Sequence, residues 1–338
     1  MMQRLARIGI PSLAALALGV IGCGPAAAQD AAQEAAKQTY APALARLQHY
    51  DTRLQSVGWR LTAANAPYCA DARPAIGLLL QDVMSYSDPD GVRAAIGLEG
   101  DVAVQAVAEN APATLAGLLP DDEILALDGQ SPASFPVSGA GDYQRLTALH
   151  DRIDAILARH GRISLRVRSG TAPARDVVIA GVPACPSRFE ILTGKSGAQA
   201  DGTRVVIGHR FGKGRGAADG LDEEEYAAVV AHELAHNILR HRSHLDEVGR
   251  SWGRVRRTER EADRLSVWLL ANAGYRPEAG PKLMGGWGRR RDIGFLKIPT
   301  HESWDERVAS MEQEITRLHQ TLRLRGQADW ARDFVREE

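Results

Sequence analysis

The sequence predicts an α+β protein in which a mainly helical domain with a small sheet carries a β-rich domain, inserted near its N-terminus. Residues 222–239 contain no glycine or proline and repeat apolar side chains at fourfold spacing, which is typical of a helix. Residues 31–64 place leucines among polar residues in a similar way. Between these two stretches, residues 101–107 alternate like a strand.

Length and charge limit the classes of function. A chain of 338 residues is long enough for two domains with separate cores. The formal net charge is −1, so no polyanionic partner is implied. The basic runs at 254–257 and 289–291 contain no aromatic residue that could stack on a base. We therefore interpret them as solvated loop faces and predict no nucleic-acid partner.

Residues 1–28 are predicted to be a targeting segment, because arginines precede an apolar stretch, residues 8–21, that is too short to span a bilayer comfortably. Two interpretations stay open. The small residues ending at Ala28 fit an ordinary signal-peptide cleavage site, whereas the residues ending at Cys23 resemble a bacterial lipobox with lipidation of that cysteine. Both predict an extracytoplasmic, periplasmic protein, and the second adds attachment to the outer membrane.

The two remaining cysteines, Cys69 and Cys185, are predicted to form a disulfide, because an exported protein meets an oxidising compartment. They bracket the segment predicted to be the inserted domain, residues 69–187. Closing a loop of that length contributes about 4 kcal/mol of stability in the chain-entropy model. Two buried thiols are the alternative.

The helix predicted over residues 222–239 contains the pattern H-E-x-x-H, from His232 to His236. Residues four apart share a helix face, so both imidazoles can bind one metal ion. Glu233 then lies where a general base for an attacking water belongs. A protease-type zinc site takes three protein ligands, and the run E-R-E-A-D at residues 259–263 offers a third. This second run argues against the alternative, a chance match on a surface helix.

Three blocks, in this order, resemble the HtpX-like and CAAX-prenyl-protease family of zinc metallopeptidases, the gluzincins: HELAHNILRH, TEREADRLSVWLLANAGYRP and PTHESWDER. The resemblance covers about residues 189–320. It implies a zincin-type peptidase domain over residues 188–338, preceded by a helical part of the same domain at residues 29–68. It also implies one zinc ion per chain.

Carried onto this sequence, the family pattern makes Glu259 the third ligand and Asp263 its neighbour that orients a ligating imidazole. Glu261 competes for the ligand role. It lies two residues from Glu259, about 200° around a helix, so the two carboxylates cannot both face the zinc.

The third block implies that His301 lies near the metal, where it stabilises an oxyanion or covers the open zinc position, with Arg307 in support. The family usually has proline after this histidine, and here Glu302 follows it. A solvent-facing His301 before a helix that starts near residue 303 is the alternative. His241 and His244 are interpreted as an exposed or internally satisfied pair on a continuation of the preceding helix.

Residues 109–129 resemble part of a bacterial PDZ domain, with a short helix opening at a proline and a strand closed by Asp-Gly. Asp121 replaces the glycine that is usual in the turn. A helix at 143–160 and a strand at 162–167 are predicted to complete the domain.

PDZ domains bind an extended peptide by adding it to a sheet edge. The candidate loop for the peptide carboxylate is formed by three residues, Ile76, Gly77 and Leu78. Residues 96–98 have a similar pattern and stay as a second candidate. The alternative for the whole segment is a small β domain that serves as a lid or spacer.

Together these features predict an exported zinc endopeptidase that acts on unfolded or envelope proteins in quality control, with the PDZ-like domain reading substrate or partner peptides. The strand predicted at 203–208 precedes the metal-binding helix and is expected to hold substrate extended at a sheet edge. The alternative is a non-proteolytic envelope chaperone or assembly factor with a structural or latched zinc site.

Overall fold

The structure is a computed structural model that describes residues 25–211, 220–288 and 303–337. Cys23 and His301 lie outside these ranges, as does most of the predicted targeting segment. Among the helices of the described residues, none is long and apolar enough to cross a bilayer.

The described chain is an α+β protein, as predicted. Its helices are α1 (Pro25–Asn65), α2 (Pro89–Ile96), α3 (Pro112–Leu115), α4 (Gln144–His160), α5 (Glu223–Ile238), α6 (His241–Val248), α7 (Trp252–Asn272), α8 (Ala279–Gly288), α9 (Trp304–Arg325) and α10 (Trp330–Asp333). Its strands are β1 (Arg73–Ala75), β2 (Leu78–Asp82), β3 (Val102–Val107), β4 (Glu123–Leu127), β5 (Arg162–Arg168), β6 (Arg175–Ala180), β7 (Val182–Ala184), β8 (Arg188–Leu192), β9 (Ala198–Ala200) and β10 (Arg204–Gly208).

The chain forms two compact units, and the first of them comprises residues 25–52 and 76–181. It contains helices α2, α3 and α4 and a five-stranded antiparallel sheet in the order β2-β3-β4-β5-β6. Helix α4 contacts β2 and β5 and buries apolar side chains such as Leu149 and Ile153 in a core shared with the sheet. The strands and helices predicted between residues 101 and 167 are confirmed, with ends shifted by a few residues.

The first unit also includes the N-terminal part of α1, whereas the sequence assigns all of residues 29–68 to the other domain. Polar side chains explain the difference. Gln48 Nε2 donates to Asp121 Oδ1 at 2.6 Å, and Gln105 Nε2 donates to Asp51 Oδ2 at 2.8 Å. These hydrogen bonds join positions far apart in sequence, so helical periodicity in α1 could not predict them.

Asp121, which stands where a turn glycine was expected, has a φ of 67°, in the left-handed region that favours glycine. Its carboxylate accepts hydrogen bonds from Gln48 and from Gln81 Nε2 at 3.0 Å. Burial raises the pKa of this carboxyl above its ordinary value. The aspartate therefore adopts the backbone conformation of the usual glycine and uses its side chain to tie α1 to the sheet.

The second unit comprises residues 53–75 and 182–337 and contains the C-terminal part of α1 and the helices α5 to α10. Its three-stranded sheet has the order β8-β10-β9, with β10 parallel to β8 and antiparallel to β9. The prediction that the strand at 203–208 forms an open edge is wrong, since β10 is paired on both sides. Strand β9 lies at the edge instead, and it contacts α5.

Helix α5 begins where its sequence predicts. Glu225 N donates to Asp222 Oδ1 at 2.8 Å, and Asp222 N donates to Glu225 Oε2 at 3.3 Å. This capping box satisfies two of the backbone N–H groups that the first turn of a helix leaves open. It fixes the start of the helix that carries the H-E-x-x-H pattern.

The predicted disulfide joins Cys69 and Cys185, with 5.6 Å between their Cα atoms. Both cysteines belong to the second unit. The bond lies next to the antiparallel pair of β1 and β7, the two strands through which the chain leaves this unit and returns to it. The disulfide therefore closes the second unit around the point of insertion.

Replacing both Cys69 and Cys185 with alanine should lower the free energy of unfolding by about 2–5 kcal/mol, because the unfolded chain loses a cross-link that spans 116 residues. Urea denaturation under oxidising conditions measures the change. In reductant the wild type should become as unstable as the variant. Equal stability of both proteins without reductant would contradict the prediction.

Candidate metal centre

Two packed helices of the second unit bring the candidate ligands together. Helix α5 provides His232 and His236 from one face, and α7 provides Glu259. One donor atom from each of these residues lies within 4.8 Å of the other two. Within the part of the chain that the structure describes, this is the one group of histidine, cysteine or acidic residues with that property.

The distances between these donor atoms fit zinc. His232 Nε2 and His236 Nε2 are 3.2 Å apart, and each lies 3.5 Å from an oxygen of Glu259. Zinc binds such ligands tetrahedrally at about 2.0–2.2 Å, which puts the donor atoms about 3.3–3.5 Å from one another. The three side chains are also partly exposed, at 13–16%, so the donor set can be reached from solvent.

The two candidate third ligands lie in different places. Glu259 faces the histidines, whereas Glu261 is buried and receives a hydrogen bond from His241 Nε2 at 3.0 Å. The separation follows from helix geometry, because residues two apart point about 200° away from each other.

Asp263 and Arg307 support His232 on the Nδ1 side of its ring, away from the proposed metal position. Asp263 Oδ1 lies 2.9 Å from His232 Nδ1. Arg307 on α9 donates to both oxygens of this carboxylate, through Nε at 2.6 Å and Nη2 at 2.7 Å. A carboxylate only accepts, so it holds the proton of the imidazole on Nδ1 and leaves the Nε2 lone pair for a metal.

Replacing Arg307 with methionine should lower the free energy of unfolding by about 3–5 kcal/mol, because Asp263 would keep a buried charge without its main partner. Chemical denaturation measures the loss. Arg250→Met is the control, since the pair of Arg250 with Asp246 is about half exposed on both sides and is worth less than about 0.5 kcal/mol. Equal effects of the two substitutions would contradict this account.

His236 has a different partner, which the sequence did not reveal. Its Nδ1 lies 2.9 Å from Nδ1 of His241, which is 2% exposed. His244 is exposed, as one of the two interpretations held. The expected continuation of the helix would have pointed His241 away from His236. Instead α5 ends at Ile238, Arg240 has a φ of 56°, and α6 starts at His241.

Burial and neighbouring charges shift the pKa values of the side chains in this site. Burial raises the pKa of Glu233 to about 7, so this carboxyl exchanges a proton near neutral pH. Burial opposes a charged imidazole at His232, but the carboxylates of Asp263 and Glu259 outweigh it and raise the pKa of His232 to about 10. Burial lowers the pKa of His241, which favours its neutral form. The carboxylates of Asp263 and Glu259 thus favour a positive charge between the donor atoms, either a proton or a metal ion.

Strand β9 lies beside this site. The backbone of Ala200 forms a hydrogen bond with Glu233, and Asn237 Oδ1 accepts from Gly202 N at 2.8 Å. These contacts hold the strand and the loop after it against α5. Backbone groups of a sheet edge are therefore next to the candidate general base.

The remaining predicted site residues belong elsewhere. Ile76, Gly77 and Leu78 lie in the first unit, where Gly77 has a φ of 66° and Leu78 begins β2. Residues 96–98 form the end of α2, with Gly97 as its cap, and so do not lead into a strand. His301 and Cys23 fall outside the described residues.

Comparisons with known proteins add little. No protein-family model matches the chain. No curated protein matches it either. A solved structure of the HtrA-type protease AlgW with a decapeptide is similar at 26% sequence identity, covering 33% of this chain and 30% of that chain, with a TM-score of 0.23. A likeness at that TM-score supports no argument, so function has to be argued from the site.

Proposed function

We propose that this protein is an exported zinc-dependent endopeptidase that hydrolyses peptide bonds of envelope or misfolded proteins. The observation that carries the proposal is the convergence of His232, His236 and Glu259 at zinc-ligand distances, with Glu233 beside them. Three protein ligands with access from solvent are typical of catalytic rather than structural zinc. The sequence resemblance to HtpX-like and CAAX-prenyl-protease metallopeptidases supports the same assignment.

A zinc ion held there would supply Lewis acidity, which polarises a peptide carbonyl and makes a water molecule acidic near neutral pH. Glu233 then accepts the proton of the water that adds to the carbonyl carbon. As the carbon–nitrogen bond breaks, Glu233 donates that proton to the leaving amine. Burial raises the pKa of this carboxyl above that of an exposed glutamate, which makes its carboxylate a stronger base toward water.

Substrate is proposed to lie extended along β9. This strand pairs with β10 on one side, and within the described residues no strand pairs with its other side. Backbone pairing at that edge would hold a peptide without demanding particular side chains. Unfolded segments can adopt the extended conformation needed, which is why the proposal names misfolded proteins as substrates. His301 remains a proposed oxyanion donor or latch.

The first unit is proposed to be a PDZ-like domain that reads peptides at the edge of β2. Ile76 and Gly77 are held in place, since their carbonyls accept hydrogen bonds from Ala113 N and Ala108 N at 3.0 and 2.9 Å. His150 on α4 accepts from Leu80 N at 3.3 Å. A peptide that pairs with β2 therefore has to displace His150 from this N–H.

Zinc analysis and a cleavage assay test the enzyme proposal. Purified full-length protein should hold one zinc ion per chain and cleave unfolded casein. A chelator should abolish the cleavage, and added zinc should restore it. If zinc-loaded wild type and His301→Ala both fail to cleave, the endopeptidase proposal is wrong and a non-proteolytic envelope chaperone with a structural zinc site is favoured.

A further inference from the structure

A buried chain of hydrogen bonds leads away from His236 on the side opposite the donor set. His236 Nδ1 lies 2.9 Å from His241 Nδ1, and His241 Nε2 lies 3.0 Å from Glu261 Oε2. Both His241 and Glu261 are 2% exposed. Neither His241 nor Glu261 is one of the proposed ligands or the proposed general base.

Metal binding through Nε2 of His236 requires one arrangement of protons along these hydrogen bonds. Glu261 as a carboxylate can only accept, so His241 donates to it through Nε2–H. When His236 binds a metal through Nε2, its proton lies on Nδ1 and is donated to the lone pair on Nδ1 of His241, 2.9 Å away. His236 is left with its lone pair on Nε2, the atom that faces His232 and Glu259.

Arg336 and the backbone of Glu337 hold Glu261 in place by hydrogen bonds. Arg336 Nη2 donates to Glu261 Oε2 at 2.9 Å, and the backbone N–H of Glu337 donates to Glu261 Oε1 at 2.6 Å. Arg336 Nη1 also donates to the carbonyl of Leu239 at 3.2 Å, just after the end of α5. Arg336 and Glu337 therefore contact the carboxylate that holds His241, and Arg336 also contacts the end of the helix that carries His236.

We propose that His241 is a positioning residue that fixes the tautomer and orientation of His236 for metal binding, and that Arg336 and Glu337 hold this arrangement in place through Glu261. The inference rests on the proposed zinc site. It assigns the two histidine ligands different supports: the carboxylate of Asp263 for His232 and a neutral imidazole for His236. Outer partners of this kind typically strengthen metal affinity 10–100-fold.

The test is the zinc dissociation constant of the full chain, measured by competition with a chromophoric chelator. His241→Phe should bind zinc about 10–100-fold more weakly, and Glu261→Ala about tenfold more weakly. His241→Gln should remain within about threefold of wild type, because its amide can accept from His236 and donate to Glu261. A merely space-filling role would not distinguish glutamine from phenylalanine in this way.

His244→Phe, an exposed position on the same helix, is the matched control and should not change zinc affinity. Wild-type affinity in both His241→Phe and Glu261→Ala overturns the inference and leaves the zinc site standing. Wild type that binds no zinc overturns both. Thermal unfolding without zinc checks that each variant is folded. If His241→Phe is unfolded, the zinc dissociation constants of wild type, His241→Gln and Glu261→Ala decide: weaker binding by Glu261→Ala alone supports the inference, and equal binding by all three overturns it.

Discussion

Replacing Glu233 with glutamine should lower kcat for casein cleavage by about 10²–10⁴-fold and leave bound zinc unchanged. The amide keeps the size of the side chain but cannot accept the proton of the attacking water. Glu233 is 6% exposed and hydrogen-bonded to the backbone of Ala200, so its carboxylate is held next to the proposed ligands. The loss should therefore appear in the chemical step rather than in substrate binding.

Steady-state kinetics and zinc analysis on the same samples measure this effect. Glu247→Gln is the control, because Glu247 is an exposed glutamate on the neighbouring helix α6 and should keep wild-type kinetics. Cleavage by Glu233→Gln at the wild-type rate would exclude Glu233 as the general base. Loss of zinc together with activity would instead indicate that Glu233 supports the ligands.

The sequence predicted the helices around this candidate site well where the signals were local. The capping box at Asp222, the unbroken apolar spacing of α5 and the fourfold spacing of the two histidines are all encoded within one helix. Such features depend on backbone geometry that neighbouring residues determine. The same holds for the start of α9 at Trp304, where Ser303 and Glu306 form a second capping box.

The sequence failed where the outcome depends on contacts between distant residues. The left-handed conformation of Arg240 ends one helix and turns His241 back toward His236, and nothing in the residue type Arg requires it. Glu261 receives hydrogen bonds from His241 and from residues about 75 positions later. Strand order in the small sheet likewise depends on pairing that alternation alone does not determine.

The two histidine ligands are held in different ways. Asp263 and Arg307 fix His232 through a buried carboxylate and a bidentate guanidinium. His236 instead contacts the imidazole of His241, which adds no negative charge next to Glu259. A second carboxylate there would raise the negative charge around Glu233 and keep it protonated at higher pH. The arrangement therefore orients both rings without placing a further carboxylate in contact with His236.

Replacing Glu259 with alanine should weaken zinc binding by more than about 100-fold and abolish cleavage, since it removes one of three ligands rather than an outer partner. Glu261→Ala is the matched substitution, two residues away on the same helix, and should weaken binding by about tenfold. The difference follows from position: Glu259 lies 3.5 Å from both ligating nitrogens, whereas Glu261 contacts His241.

Metal analysis after dialysis and competition with a chelator measure the zinc affinity of both variants and show which substitution weakens it more. The two carboxylates share the same residue type, helix and backbone conformation, so a general effect of losing a glutamate from α7 would weaken both variants equally. Only direct coordination of zinc by Glu259 makes the loss of zinc affinity in Glu259→Ala about tenfold larger than the loss in Glu261→Ala. If Glu261→Ala loses zinc while Glu259→Ala retains it, the third ligand is Glu261, and α7 has to rotate about its axis from the orientation seen here.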